Sequence, residues 1–384
     1  MVTLYELGER IFPCPDGSLP PKFAENGLTM AELQFSLPTS SASVIQSVSF
    51  HRFTPIIAVL LSDGSIRITD YQNNTDRSPI DLHHLKQENA SVIGWRPDKT
   101  QTLACGVKGG VLIWLYQLCH GQLSLGHRQT KSRPWIFSSA QHFISTEDLT
   151  PPTASFIPLP RHHHNDDVIE LEWSHDGSFL IASTHKTNFI YSIGDSTFKV
   201  FLSHPRSPLL STSLSSSNDT LFVYPNKFLL TTTYPSLTRS SWTLPGNSSL
   251  TCGCWTDELA VIADESRLFF LTRHFDEWKL SQSSIALDSF LMDSVDDSDP
   301  IPSISRVTID PKCSRMAITI KGLHLVLLFA ISPSFELGFI GNVAFEPSWG
   351  EPVVVKWAQY FKGGSLLVCG YSNGVVKFVP AFVH

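Results

Sequence analysis

Hydrophobic and polar positions alternate along this chain in short runs, and the runs recur as a unit. Each unit reads as an alternating strand, a polar turn, an apolar strand, a tight Gly- or Asn-containing turn and a further apolar strand. SVIQSVSFHRFTPIIAVLLSDGSIRITDY (43–71) is the first copy. It predicts strands over Val44–Phe50, Ile56–Leu61 and Ser65–Asp70, with Ser62-Asp63-Gly64 as the turn. ASVIGWRPDKTQTLACGVKGGVLIWLY (90–116) turns at Gly109-Gly110, and DDVIELEWSHDGSFLIASTHKTNFIYSI (166–193) is the clearest copy. Further copies begin near Ser207, Ser248, Ser303 and Pro352. The starts lie roughly 41 to 76 residues apart, most of them near the 40–50 of propeller blades.

Runs such as PIIAVLL, VLIWLY, ELAVIA and HLVLLFAI are almost continuously apolar, so they expect burial on both faces. A propeller supplies that by wedging each blade between two neighbours. A parallel α/β sheet would need amphipathic helices between the strands, whereas the connections here are rich in Pro, Ser and Gly and hold no 3.6-residue period. The fold class read from the pattern is all-β, a seven-bladed WD40-type β-propeller closed by an N-terminal strand. Residues 1–42 form an N-terminal segment and 43–384 the propeller. The last copy supplies three strands, near Val353–Trp357, Ser365–Tyr371 and Val375–Pro380. Met30–Leu37 (MAELQFSL) is the expected donor of the missing outer strand, which removes two open edges. Two insertions, 117–165 and 274–302, are expected as surface loops.

Composition narrows the function. Of 384 residues, 42% are apolar and 16% charged, with 28 Lys and Arg against 35 Asp and Glu for a formal charge of −7. A mildly acidic chain projects no global field toward nucleic acid, and no direct nucleic-acid partner is expected. Seven cysteines, scattered and without a CxxC pair, read as buried thiols of a reducing compartment. The opening MVTLYELGERIF has acidic residues and no apolar core, so no secretory signal is expected. The longest apolar run, around Leu323–Ile331, falls well short of the ~20 residues of a spanning helix.

The motifs read mainly as structure. Trp173-Ser174-His175-Asp176-Gly177 has the form of the turn joining the first two strands of a WD-repeat blade, with the Trp packing between blades and Asp-Gly permitting the reversal. Trp95-Arg96-Pro97-Asp98 and Trp255-Thr256-Asp257 stand at the same place, while Trp114 and Asp70 match the two members of a WD dipeptide that nowhere survives intact. His162-His163-His164 before Asp166-Asp167 carries metal-ligating types, but adjacent residues of an extended chain point to opposite faces and do not converge on one ion. Cys252 and Cys254 share one side of a strand as small apolar thiols. The chain holds no G-x-S-x-G elbow and no Walker-type loop, so no catalytic residue, cofactor or metal site is assigned. The basic and aromatic stretch HRQTKSRPWIF (127–137) suits a solvated loop or a protein-binding peptide better than RNA, and Arg133, Trp135 and Phe137 are its candidate partner contacts.

On these residues the chain resembles the aladin family of WD-repeat nucleoporins. The likeness runs through the VTLYE opening (Val2–Glu6), the blade pair IIAVLLSDGSIRITDY and SVIGWRPDKTQTLACGVKGGVLIWLY with its W-R-P turn and L-I-W strand, and TCGCWTDE (251–258). It is most specific at SFELGFIGNV (334–343) followed by FKGGSLLVCGYSNGVVKFVPAFV (361–383). The family carries a longer, partly helical segment between the opening and the first blade, and a polar tail after the last. The resemblance implies a non-catalytic scaffold of the nuclear pore complex that supports nucleocytoplasmic transport. It further implies residence at the nuclear envelope with some cytoplasmic pool, and other nucleoporins as partners, in particular an integral pore-membrane nucleoporin. A generic WD-repeat adaptor, such as a ubiquitin-ligase substrate receptor, has the same sequence features. A propeller hydrolase would additionally need acid, base and nucleophile at the central channel.

Overall fold

The computed structural model describes residues 3–7, 10–14, 44–70, 80–98, 102–115, 118–119, 135–136, 153–160, 163–194, 197–205, 211–214, 220–224, 227–232, 238–242, 249–256, 259–274, 277–280, 285–286, 303–323, 325–332, 335–344, 347–359, 361 and 364–382. Among them the chain is all strand, apart from 3₁₀ turns at Leu85–Gln87 and Pro347–Trp349. The strands form an all-β propeller.

In the first sheet Ile45–Phe50, Ile56–Leu61, Ile66–Asp70 and Ile80–Leu82 follow one another antiparallel from the inside outward. The same order recurs in sheets whose innermost strands are Val92–Trp95, Val168–Trp173, Ser211–Leu214, Leu250–Trp255 and Ile304–Ile309. A C-terminal sheet begins with Pro352–Trp357. Each innermost strand touches the next in that order, and Pro352–Trp357 returns to touch Ile45–Phe50. The copies expected to begin near 43, 90, 166, 207, 248, 303 and 352 each begin within about four residues of one of these innermost strands.

Burial follows from this stacking. Ile56–Leu61, Thr102–Val107, Phe179–Thr184, Leu259–Asp264 and Arg315–Ile320, the second strands of their sheets, are buried along their whole length. A strand covered on both faces has no polar side to show, which is why these runs lack the two-residue alternation of a half-exposed sheet. The clusters cross sheet boundaries: Leu60 and Ile68 of the first sheet pack with Leu103 and Leu112 of the second. Ile57 and Val59 pack on their other side with Leu366 and Val368 of the C-terminal sheet. Each fully buried aliphatic of this kind stabilises the fold by about 1.5–3 kcal/mol.

Two expectations are revised. The edge of Val376–Phe382 is taken by Thr3–Leu7, which runs parallel to it with Leu4 opposite Ala381, and Arg10–Cys14 pairs antiparallel with Thr3–Leu7. Met30–Leu37, expected in that place, lies outside the described residues. A two-residue hairpin joins only antiparallel strands, so a parallel neighbour has to arrive from a distant part of the chain. The expected insertions also contain sheet. Thr153–Pro158 is the outer strand of the second sheet, paired with Gly110–Leu115. Glu277–Leu280 is the outer strand of the fifth, beside Arg267–His274, on which Ile285–Ala286 also pairs. Hydrogen bonding to an already formed neighbour orders these short segments although their own patterns are weak.

Candidate functional site: the inner strands and their turns

Ile45–Phe50, Val168–Trp173, Leu250–Trp255, Ile304–Ile309 and Pro352–Trp357 share one irregularity. The register skips a residue after the first position, between Ile45 and Ser47, Val168 and Glu170, Leu250 and Cys252, Ile304 and Arg306, and Pro352 and Val354. A bulge re-aims the residues that follow it. The last residue of the strand then faces the preceding sheet, and the penultimate one faces the following sheet.

The terminal tryptophans use this geometry. Trp173 donates its indole N–H to the Gly94 carbonyl at 2.9 Å, and Trp357 donates to Thr308 at 3.3 Å, each acceptor belonging to the sheet before. Trp95 meets the His51 ring of the first sheet edge-on at 5.5 Å between centroids, while Trp255 stacks at 5.1 Å on Trp278 of its own sheet. On the opposite face Ser47 and Ser49 accept the backbone N–H groups of Ile93 and Trp95 at 3.2 and 2.9 Å. Cys252 and Cys254 occupy the same two positions of their strand and accept from Val307 and Ile309. Burial is the main cause that raises the thiol of Cys252, to about 11, and it pushes Cys254 up as well. Burial of this kind makes both poor nucleophiles. Among the described residues no group of three His, Cys, Asp or Glu is placed to hold a metal.

The turns after the inner strands gather on one face of the ring. Asp176 accepts from the Ser178 N–H at 3.0 Å and from the Ser174 and Ser178 hydroxyls at 2.7 and 2.8 Å, while Gly177 takes the left-handed φ of 70° that the reversal requires. Burial pushes the Asp176 carboxyl up, and these hydrogen bonds outweigh it and hold it below the ordinary value. Arg52, from the first sheet, donates to the His175 carbonyl at 3.1 Å and meets its Nε2 at 2.8 Å. Arg96 donates to the Gly177 carbonyl at 2.9 Å and pairs with Asp98 at 2.9 Å. Beside them Phe53 is 45% exposed with the Arg52 guanidinium over its ring. Leu115 and Thr153, the paired ends of the third and outer strands of the second sheet, lie at this same face.

The other sequence candidates fall as follows. Asp70 ends its strand opposite Ile56. Trp114 donates to Gln87 Oε1 at 3.2 Å, and Gln87, only 2% exposed, donates in turn to the Gly64 and Leu82 carbonyls at 2.7 and 3.1 Å. Sequence reasoning missed Gln87, since one Gln in a polar connection carries no signal of burial. Trp135 lies in a two-residue strand, opposite Leu118. Arg133, Phe137 and His162 are outside the described residues. His163 binds Asp166 at 2.8 Å and His164 contacts Asn165 at 3.0 Å. Lys186, also at 2.8 Å from Asp166, and then His163 hold that carboxyl below its ordinary value. The inner strands also carry Glu170, Glu172, Arg306 and Lys356, which align only once the strands are laid in register. Burial raises the Glu172 carboxyl against the pull of Lys356, and lowers the Lys356 ammonium against the pull of Glu172.

These features define a β-propeller of the WD-repeat type, a fold typical of non-catalytic scaffolds and of protein–protein interaction. No helix among the described residues is long and apolar enough to cross a membrane. No protein-family model matches the chain. Aladin of Arabidopsis thaliana is 31% identical over 70 residues, which cover 18% of this chain and 16% of that protein's length. Among solved structures, the Cps50 (Swd1) β-propeller domain of Myceliophteria thermophila aligns with a TM-score of 0.61 at 11% identity, covering 90% of this chain and 98% of that one. A chain of the Mitotic Checkpoint Complex aligns at 0.62 and 10% identity, covering 91% and 95%. Raptor of Chaetomium thermophilum aligns at 0.59 and 12% identity over 89% of this chain and 28% of its own. At such identities the structural likeness establishes the fold alone.

Proposed function

We propose that this protein is an aladin-like scaffold of the nuclear pore complex, a seven-bladed propeller over 43–384 whose ring is closed by the N-terminal strand Thr3–Leu7. The observation that carries the assignment is the 70-residue match to Aladin, joined to a propeller that spans the described chain. The ring serves as a rigid, non-catalytic platform supporting nucleocytoplasmic transport. Its partners are other nucleoporins, in particular an integral pore-membrane nucleoporin that supplies the membrane tether. Docking uses the turn face, with the exposed Phe53 on it and Arg133, Trp135 and Phe137 of the sequence between the third and outer strands of the second sheet as contacts. Basic and aromatic side chains of this kind supply the anchor types that dominate protein interfaces.

A tagged protein at native expression tests the assignment: it should mark the nuclear rim, over a weaker cytoplasmic pool, and co-purify with nucleoporins. Uniform cytosolic signal, with ubiquitin-ligase or coat subunits in place of nucleoporins, would reassign it as a WD-repeat adaptor of another complex. Replacing Trp135 and Phe137 with Ala should reduce nucleoporin recovery without moving the melting temperature.

A further inference from the structure

Two histidines of the turn face have their protons assigned by their partners, because a backbone N–H and a guanidinium can only donate. The Phe53 N–H reaches His51 Nδ1 at 3.3 Å, and Arg52 Nη2 reaches His175 Nε2 at 2.8 Å. Both ring nitrogens are therefore acceptors, and both imidazoles are neutral in this arrangement. The Thr54 hydroxyl, 2.8 Å from the same His51 Nδ1, donates to it as well. His163 is the opposite case. Its Nδ1 stands 2.8 Å from the Asp166 carboxylate, which accepts, so that nitrogen carries the proton.

His51 and His175 hold one short segment from two sides. His51, only 2% exposed, engages the Phe53 N–H from within the turn, and its own backbone N–H closes the turn on the Ile56 carbonyl at 2.9 Å. His175 fixes Arg52 from the third sheet, its carbonyl accepting from Nη1 at 3.1 Å. The second sheet lies between, and its Arg96 donates to the Gly177 carbonyl in the same turn. Phe53, with the Arg52 guanidinium 5.5 Å above its ring, is the exposed residue that this double hold positions. The charged residues of these three turns, as far as they are described, are Arg52, Arg96, Asp98 and Asp176. Asp98 pairs with Arg96, and Asp176 accepts from the Ser174 and Ser178 hydroxyls. On the other side of the first sheet, the described turn residues Ala358, Gln359 and Phe361 of the C-terminal sheet carry no charge.

We propose that the turn face carries a proton-operated latch: neutral His51 and His175 hold Arg52 and Phe53 in place, and uptake of a proton by either releases them. A proton on His175 Nε2 sets one N–H against another and adds a second positive charge beside the guanidinium. A proton on His51 Nδ1 turns the acceptor of the Phe53 N–H into a donor. Imidazole ordinarily titrates near 6.5, so the latch is closed at neutral pH and is lost as the pH falls below about 6. Docking through Phe53 is then confined to neutral and alkaline conditions, a consequence that rests on the docking reading above. The latch itself depends on the turns alone, so its failure would leave the localisation reading untouched.

Hydrogen exchange on the full-length protein tests this, read as protection factors so that the pH dependence of chemical exchange drops out. Melting temperature would not isolate the latch, because His84 also accepts a backbone N–H, from Lys86 at 3.1 Å. Between pH 7.5 and pH 5.5 the peptide holding His51–Ile56 should lose protection about tenfold, the change in equilibrium that loss of one such hydrogen bond carries. The peptide holding His163–Asp167 should keep its protection, since a second proton leaves the bond to Asp166 in place. In His51→Asn combined with His175→Gln, amide oxygens that do not titrate stand near the Nδ1 and Nε2 positions, and the fall at His51–Ile56 should vanish. Protection there that ignores pH in the parent, or a variant that loses as much as the parent, would overturn the latch. If His51→Asn prevents folding, His175→Gln alone decides: a fall smaller than the parent's supports the latch, and an equal fall overturns it.

Discussion

Replacing Gln87 by Met keeps a side chain of similar length in a fully enclosed site but removes both ends of a polar bridge. The amide holds the Gly64 and Leu82 carbonyls of the first sheet, and its oxygen accepts the Trp114 indole of the second. Three hydrogen bonds at about 1 kcal/mol net each, with their partners left buried, amount to about 3 kcal/mol. At an unfolding entropy of about 2.1 cal/mol/K per residue, that is a fall in Tm of about 4 °C for a chain of this length. Thermal unfolding followed by circular dichroism reads the shift directly. Leu85→Ala, two residues away and 90% exposed, should leave Tm within a degree. A Gln87→Met variant as stable as the parent would refute the argument, because it would mean that the two carbonyls and the indole find other partners.

Gly64 and Gly322 both have φ near +80°, but a Cβ at Gly64 would stand 2.3 Å from the Gln87 carbonyl oxygen whereas one at Gly322 meets nothing within 4 Å. Gly322→Ala should therefore cost about 1 kcal/mol for the backbone alone, and Gly64→Ala clearly more, as denaturant midpoints would reveal. Trp173→Phe keeps the packing and loses one bond to Gly94, for about 1 kcal/mol in the same assay. Burial pushes the thiols of Cys105 and Cys369 up to about 12 and that of Cys252 to about 11. Mass spectrometry after alkylation at pH 8 should find all three unmodified in the native protein and modified once it is denatured; rapid native labelling would contradict their burial. Asp166 has its folded pKa depressed, so its contribution is present above the unfolded value near 3.9 and is lost as pH falls through the folded one. Asp166→Ala should lower Tm at pH 7, and the gap from the parent should narrow below pH 4.

The strands and tight turns of the first, second, third and C-terminal sheets were legible because each carries a strong local signal. Ile56–Leu61 is apolar throughout, and Ser62-Asp63-Gly64 supplies the residue with positive φ that the reversal requires. Thr153–Pro158 and Glu277–Leu280 were read as loop because an outer strand takes its conformation from the neighbour it hydrogen-bonds to. The same reasoning covers Cys313. It holds a left-handed φ of 53° and donates its N–H to Asp310, as Gly177 does to Ser174, so the turn is repeated with a residue that sequence rules place elsewhere.

The candidate contacts Arg133, Trp135 and Phe137 were read from composition alone, whereas Glu170, Glu172, Arg306 and Lys356 went unremarked because charged residues scattered over separate strands form no motif. By itself the sequence determined the strand type, the repeat and therefore the stacked architecture, since burial on two faces and positive φ are properties of a few consecutive residues. Only the tertiary structure decided which strand completes the C-terminal sheet and which polar groups bridge one sheet to the next. Those choices depend on register and ring closure, which bring together residues more than a hundred positions apart and leave no trace in any local window.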